Sequence, residues 1–172
     1  QPLAAEGVVE LVPYRGARVT AFSRQDVSDL YAQRSFLESR AAAAAADRIT
    51  PEELAQLHKL VAQMQGTLTP KGLSDYAGLN RRFHETIYSA SRRDYLIRAL
   101  DQIWSTFPTL IMSSYAHRGA ESLAQRDAQD LNEHQSILAA LENRDPKRAE
   151  WLMRHHIEEN CKELLAVMDC GG

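Results

Sequence analysis

From Ser23 onward the sequence has no run of alternating apolar and polar residues, only six segments of helical period separated by Gly, Pro or Thr-Pro punctuation. They span about 24–47, 51–66, 71–91, 93–116, 121–143 and 146–168. Two starts are sharply marked. Thr50 precedes Pro51, with Glu53 three residues on, a capping box with proline at the first helical position, and Asp145 before Pro146 repeats the cap. Long helices joined by short connections lie mostly antiparallel, so the expected fold is all-α, an antiparallel bundle of about six helices. The run AAAAAA at 41–46 is a strong helix former whose small side chains let a neighbouring helix approach closely.

Residues 1–22 differ from the rest. Two β-prone runs, VVELV and ARVTAF, flank the turn-like PYRG, which predicts a short β-hairpin. A lone hairpin is marginal in water, so it is expected to pack on the helices or on a segment outside this chain. The predicted division is therefore 1–22 and 23–172.

A chain of 172 residues can bury a substantial core. Its 20 basic and 23 acidic residues give a net charge of −3, so no global basic field draws it to nucleic acid or anionic membrane. Neither an apolar run of about 18 residues nor a secretory signal pattern occurs. A cytoplasmic protein without membrane contact is expected. Cys161 and Cys170 have neither metal-pair spacing nor the density of a disulfide framework, and both read as free thiols.

Several apolar stripes are interrupted by polar residues. In the first helix Arg34 interrupts the series Val27, Leu30, Leu37, Ala41 and Ala44. In the third, Asn80 and His84 lie one turn apart between Leu73, Tyr76 and Ile87. His134 follows Leu131 on the stripe of Leu123, Leu138 and Leu141. In the sixth helix His156 and Asn160 share the face of Ala149, Leu152, Met153, Leu164 and Val167, while His155 falls on a mixed outer face. One inward histidine is more often a satisfied core residue than a ligand. Four polar residues and an arginine on inward faces need one another, water or a ligand, because each unpartnered group costs on the order of 1–3 kcal/mol. Three imidazoles and an amide oxygen form a plausible site for a borderline cation, zinc or nickel, with manganese as an alternative.

Other chemistries fit less well. No Gly-x-Ser-x-Gly elbow exposes a serine nucleophile. The Asp127, Asp130 and Glu133 group reads as a solvated acidic face from which one member orients an imidazole at most. His58 and His117 read as surface residues, and Trp104, Phe107, Leu110, Ile111 and Tyr115 as core or partner face.

Three stretches, DVSDLYAQRSFLESRAAAAAADR, NRRFHETIYSAS and NEHQSILAALENRDPKRAEWLMRHHI, in this order and spacing, resemble the effector-binding FCD domain of the FadR subfamily of GntR transcription regulators. The resemblance covers about residues 24–168. LAAEGVVELVPYRGARV looks like the end of a winged-helix DNA-binding domain, with PYRGARV as its wing. The resemblance implies a dimeric helical domain whose cavity holds a divalent metal and a small carboxylate metabolite. It assigns the metal to Asn80, His84, His134 and His156, and the effector to Arg34, with Asn160 beside it. Many members carry aspartate where this chain has Asn80, a neutral and weaker ligand for a hard cation. With only neutral ligands, the cation and Arg34 are expected to make an electropositive pocket that favours an anionic effector. Arg15 and Arg18 in the wing remnant are the residues placed to touch operator DNA through a winged helix largely outside this chain.

The function expected on these grounds is a metabolite sensor that performs no catalysis. The alternatives are a metal-dependent hydrolase, against which no inward carboxylate stands out as general base, and a structural dimerisation bundle whose polar residues bond one another.

Overall fold

The structure, a computed structural model, describes the backbone of residues 9–12, 16–19, 23–67, 73–115 and 120–170, and the side chains of 23–67, 76–105, 129–166 and 168. Two short strands, β1 (Val9–Val12) and β2 (Gly16–Val19), pair antiparallel with Val9 opposite Val19 and Val12 opposite Gly16. Six helices follow among the described residues: α1 (Arg24–Ala46), α2 (Pro51–Gly66), α3 (Leu73–Ala90), α4 (Asp94–Tyr115), α5 (Ala120–Glu142) and α6 (Pro146–Cys170). The expected hairpin and bundle are both present, with helix ends within two residues of the sequence reading.

The starts are fixed by the caps that the sequence announces. The Thr50 side chain accepts from the Glu53 amide at 3.2 Å, and the Glu53 carboxylate accepts from the Thr50 amide at 2.9 Å. At α6, Asp145 accepts from the Arg148 amide at 3.0 Å. At α1, Ser23 and Asp26 close a further capping box. Each cap satisfies backbone donors that a helix start leaves without partners, and each contributes about 1 kcal/mol.

α1 is the centre of the bundle. It packs against α3, α4, α5 and α6, most extensively on α6. The α1–α6 pair is antiparallel: Arg24 donates to the Leu165 carbonyl, Ser35 to Glu158, and Arg40 pairs with Glu150, so ascending positions on one helix meet descending positions on the other. Ala41, Ala42, Ala45 and Ala46 are fully buried, which gives the alanine run its role as the surface of close approach. A helix surrounded on so many sides buries far more than a single stripe. The buried set Val27, Tyr31, Arg34, Ser35, Glu38, Ser39, Ala41, Ala42, Ala45 and Ala46 is centred about one residue away from the expected stripe, and Ala44 lies on its flank.

The remaining core comes from Leu57, Leu60 and Met64 of α2, Phe83 and Ile87 of α3, Leu100 and Trp104 of α4, Ile137 and Leu141 of α5, and Met153 and Ile157 of α6. Trp104 is therefore core; Phe107, Leu110, Ile111 and Tyr115, like Leu73, Leu123 and Val167, have side chains outside the described residues. His155 is half-exposed and stacks flat on Trp151, as the outer-face reading requires, and His58 is exposed against Glu142. Cys161 is a free thiol; the Cys170 side chain and His117 lie outside the described residues. Among the described residues no helix is long and apolar enough to cross a membrane.

The packing on the alanine face gives a direct test. Ala42→Leu inserts three heavy atoms into a fully buried position, and thermal denaturation is expected to show a loss of about 1–3 kcal/mol. A variant as stable as the parent would mean that the helices do not approach at this face.

Candidate metal and effector site

Helix period places Asn80 and His84 one turn apart on α3, His134 near the middle of α5 and His156 near the middle of α6. The three imidazoles meet in the bundle interior, exposed by 1%, 0% and 2%. Each offers a ring nitrogen within 4.8 Å of the others. The His84 and His156 rings stack at 5.2 Å, and His134 tilts against His156 at 4.7 Å. Phe83 packs on His134 and Trp104 on His84, so the surrounding wall is aromatic. Asn80 Oδ1 is buried and has no hydrogen-bond partner among the described residues.

Two of these imidazoles are held by carboxylates on other helices. Glu38 Oε2 of α1 lies 2.5 Å from His84 Nδ1, and Glu133 Oε2 of α5 lies 2.7 Å from His156 Nδ1. A carboxylate accepts only, so in both rings Nδ1 carries the proton and donates. In the neutral form of each ring Nε2 then presents a lone pair, and the two Nε2 atoms face each other at 3.3 Å. Two acceptors at that separation repel unless a proton or a cation lies between them. With His134 beside them they make a donor set that fits a borderline divalent cation in kind, and the buried Asn80 oxygen, one helical turn before His84, is a donor of the type that would complete it.

Arg34 is 3% exposed, and its Nε–H donates to Glu38 Oε1 at 2.7 Å. The guanidinium lies over the Trp104 ring at 4.2 Å from its centroid and over Tyr31 at 5.4 Å. Burial by itself would raise the Glu38 carboxyl; Arg34 first, then His84, overcome this and lower it to about 2. His84 is shifted below its ordinary value by burial, against the opposing pull of Glu38. Arg34 is the largest of the influences that keep Glu38 ionised. Asp130 forms a second buried acceptor, taking the Tyr76 hydroxyl at 2.7 Å and Asn160 Nδ2 at 3.2 Å. Asn160 Nδ2 also donates to the His156 carbonyl at 2.8 Å and lies 3.4 Å from His156 Nε2.

These positions correct three expectations. Asp130 is 5% exposed and Glu133 is bonded to His156, so the pair is not a solvated face; the Asp127 side chain lies outside the described residues. The single orienting carboxylate allowed for that group is Glu133. Inward carboxylates do stand beside the histidines, in Glu38 and Asp130. The pocket is consequently not electropositive through an unopposed Arg34, since Glu38 pairs with it directly. Glu38 was missed because the stripe drawn through Leu30, Leu37 and Ala44 placed it off the buried face. The signal was present: a buried arginine needs an acid, and the nearest one in sequence is one turn further along the same helix. Asp130 stands in the same relation to His134, one turn earlier. The Arg15 and Arg18 side chains lie outside the described residues.

Comparison with known proteins decides the family. Residues 29–159 match the FCD domain. The chain belongs to the FCD domain family. Its relatives include the HTH-type transcriptional repressor RspR of Escherichia coli (strain K12), 25% identical over 157 residues that cover 91% of this chain and 66% of RspR. The HTH-type transcriptional repressor GlaR of the same organism is 26% identical over 90% of this chain and 71% of its own length. The chain thus spans about two thirds of the length of RspR. Among solved structures, E. coli McbR/YncC superposes with a TM-score of 0.82 at 21% identity, covering 95% of this chain and 79% of that one. The metal-free FCD domain of TM0439 superposes with a TM-score of 0.68 at 15% identity, covering 88% of this chain and 99% of that one. The curated relatives named here are HTH-type transcriptional repressors, which agrees with the non-catalytic reading.

The ionisation pattern predicts how metal-free protein responds to acid. His84, held below 6.5, supports the fold fully above that pH and loses that support as pH falls through 6.5. Glu38, depressed from 4.5, contributes stability above 4.5 that is lost as pH falls toward about 2. The thermal midpoint should therefore drop below pH 6.5 and again below pH 4.5, and Glu38→Gln should remove the lower step. A midpoint independent of pH across both windows would contradict these assignments.

Proposed function

We propose that this chain is the ligand-sensing part of a bacterial DNA-binding transcription regulator, with a divalent metal and a small carboxylate effector bound inside the bundle. The observation that carries the metal is the convergence of three imidazoles, with the Nε2 atoms of His84 and His156 facing at 3.3 Å and His134 beside them. His84, His134 and His156 would hold the ion, with Asn80 Oδ1 as the oxygen donor on the turn before His84. Zinc or nickel suits three imidazoles best, and manganese suits them less. When bound, the cation supplies a Lewis-acidic centre for an effector oxygen. Arg34 and Asn160 complete the effector contacts, the arginine as the partner of a carboxylate.

In this reading residues 1–22 are the end of a winged-helix domain, with Arg15 and Arg18 on its wing, and residues 23–172 are the effector-binding and dimerisation domain of a cytoplasmic homodimer. Effector binding would shift the population of helix arrangements that set the two DNA-binding domains on an operator. What supports it is the regulator character of the relatives and a site buried at the junction of four helices.

Titration of zinc into metal-stripped chain should show uptake of about one ion per chain, and zinc in about hundredfold excess over Kd should raise the thermal midpoint by roughly 5–10 °C. His134→Ala should remove that uptake. A thermal-shift screen of small organic acids should give responses that need the metal. Parent protein that takes up no zinc, nickel or manganese would leave the structural bundle as the better account.

A further inference from the structure

The polar groups around the three histidines are not independent. Glu38 is 1% exposed and divides its two oxygens between different partners, Oε1 to Arg34 on its own helix and Oε2 to His84 on α3. His84 in turn faces His156, which Glu133 holds from the opposite side. The series runs Arg34, Glu38, His84, His156, Glu133 and so crosses α1, α3, α6 and α5. Trp104 lies against both ends of its first part, under the guanidinium and beside the His84 ring. Among the described residues the hydrogen-bonded link from Arg34 to a cation-holding ring runs through Glu38, whose Oε1 accepts from Arg34 and whose Oε2 accepts from His84 Nδ1.

Resting on the metal reading above, we propose that Arg34 and Glu38 are positioning residues for the cation, a relay in which the arginine fixes the carboxylate and the carboxylate fixes the His84 ring with Nε2 turned inward. The physical ground is the cost of a badly oriented ligand. His84 can rotate about its side-chain bonds or exchange which nitrogen carries the proton, and either change removes a lone pair from the site. The bond to Glu38 Oε2 excludes both. Glu38 can hold that direction only while its other oxygen is engaged, because a buried carboxylate with one partner reorients toward any donor it can reach.

The relay makes a prediction opposite in sign to simple electrostatics. Removing a positive charge a few ångströms from a cation site should tighten cation binding by Coulomb's law. Removing Arg34 should instead weaken it, because the loss of orientation at His84 outweighs the relief of repulsion, as is usual when a group that orients a ligand is lost. The same connection means that an anion arriving at Arg34 is felt at the cation, so the two ligands of the sensor are linked through one carboxylate.

The experiment is a double-mutant cycle read with zinc alone, by competition against a chromophoric chelator, on parent, Glu38→Gln, Arg34→Gln and the double variant. The double variant leaves no unpaired buried charge and so guards against simple unfolding, which circular dichroism checks in each case. Glu38→Gln is expected to weaken zinc binding by about 10–100-fold, and Arg34→Gln by about tenfold or more while Glu38 is present. In the Glu38→Gln background, Arg34→Gln should change affinity by less than about twofold. Tighter zinc binding in Arg34→Gln, unchanged binding in Glu38→Gln, or additive effects would each overturn the relay while leaving the metal site standing. A parent chain that takes up no zinc overturns the metal reading and the relay with it. Heteronuclear NMR of the metal-free parent supplies a readout that needs no variant: the proton of His84 should reside on Nδ1, and residence on Nε2 would contradict the proposal.

Discussion

Placing Arg34 and Glu38 in the middle of the bundle is the demand to which the rest of the interior answers. Either charge alone in such surroundings would cost several kcal/mol, and even the pair is stable only when its remaining hydrogen-bonding capacity is used. Glu38 satisfies this by accepting from His84 with its second oxygen, while the Arg34 guanidinium gains cation–π contact over Trp104 and Tyr31. The alanine run one turn further along α1 then lets the neighbouring helices close around this charged segment without side-chain volume in the way. The same helix therefore supplies the tightest packing and the most polar part of the core.

From that start the polar network can be followed outward by asking where each group finds its partner. His84 meets His156, His156 meets Glu133, and Asp130 gathers Tyr76 and Asn160. Among the described residues these buried polar side chains partner one another. The Nε2 atoms of His84 and His156 face each other at 3.3 Å, and the buried Asn80 oxygen has no hydrogen-bond partner among the described residues. Three converging imidazole nitrogens in a buried interior are what a borderline cation requires.

The fold was almost entirely legible in the sequence, because its determinants are local: capping boxes, proline at helix starts and helical period fix the elements within two residues. The histidines were legible for a related reason, since a polar residue on an apolar stripe is visible without knowing the neighbours. Glu38 and Asp130 were not. An acidic residue in a chain rich in acids looks solvated until a surrounding helix covers it, and α1 is covered on more sides than a stripe of about 100° anticipates. The lesson in this chain is that a buried arginine should be paired first with the acid one turn away, and only then with a ligand.

The central claim is that three imidazoles from three helices converge on one cation. X-ray absorption at the metal edge of zinc-loaded protein tests it most directly, because multiple scattering from imidazole rings counts them without reference to any variant. The account predicts three imidazole nitrogens completed by oxygen. A spectrum with fewer than three imidazoles, dominated by carboxylate oxygens, would contradict it.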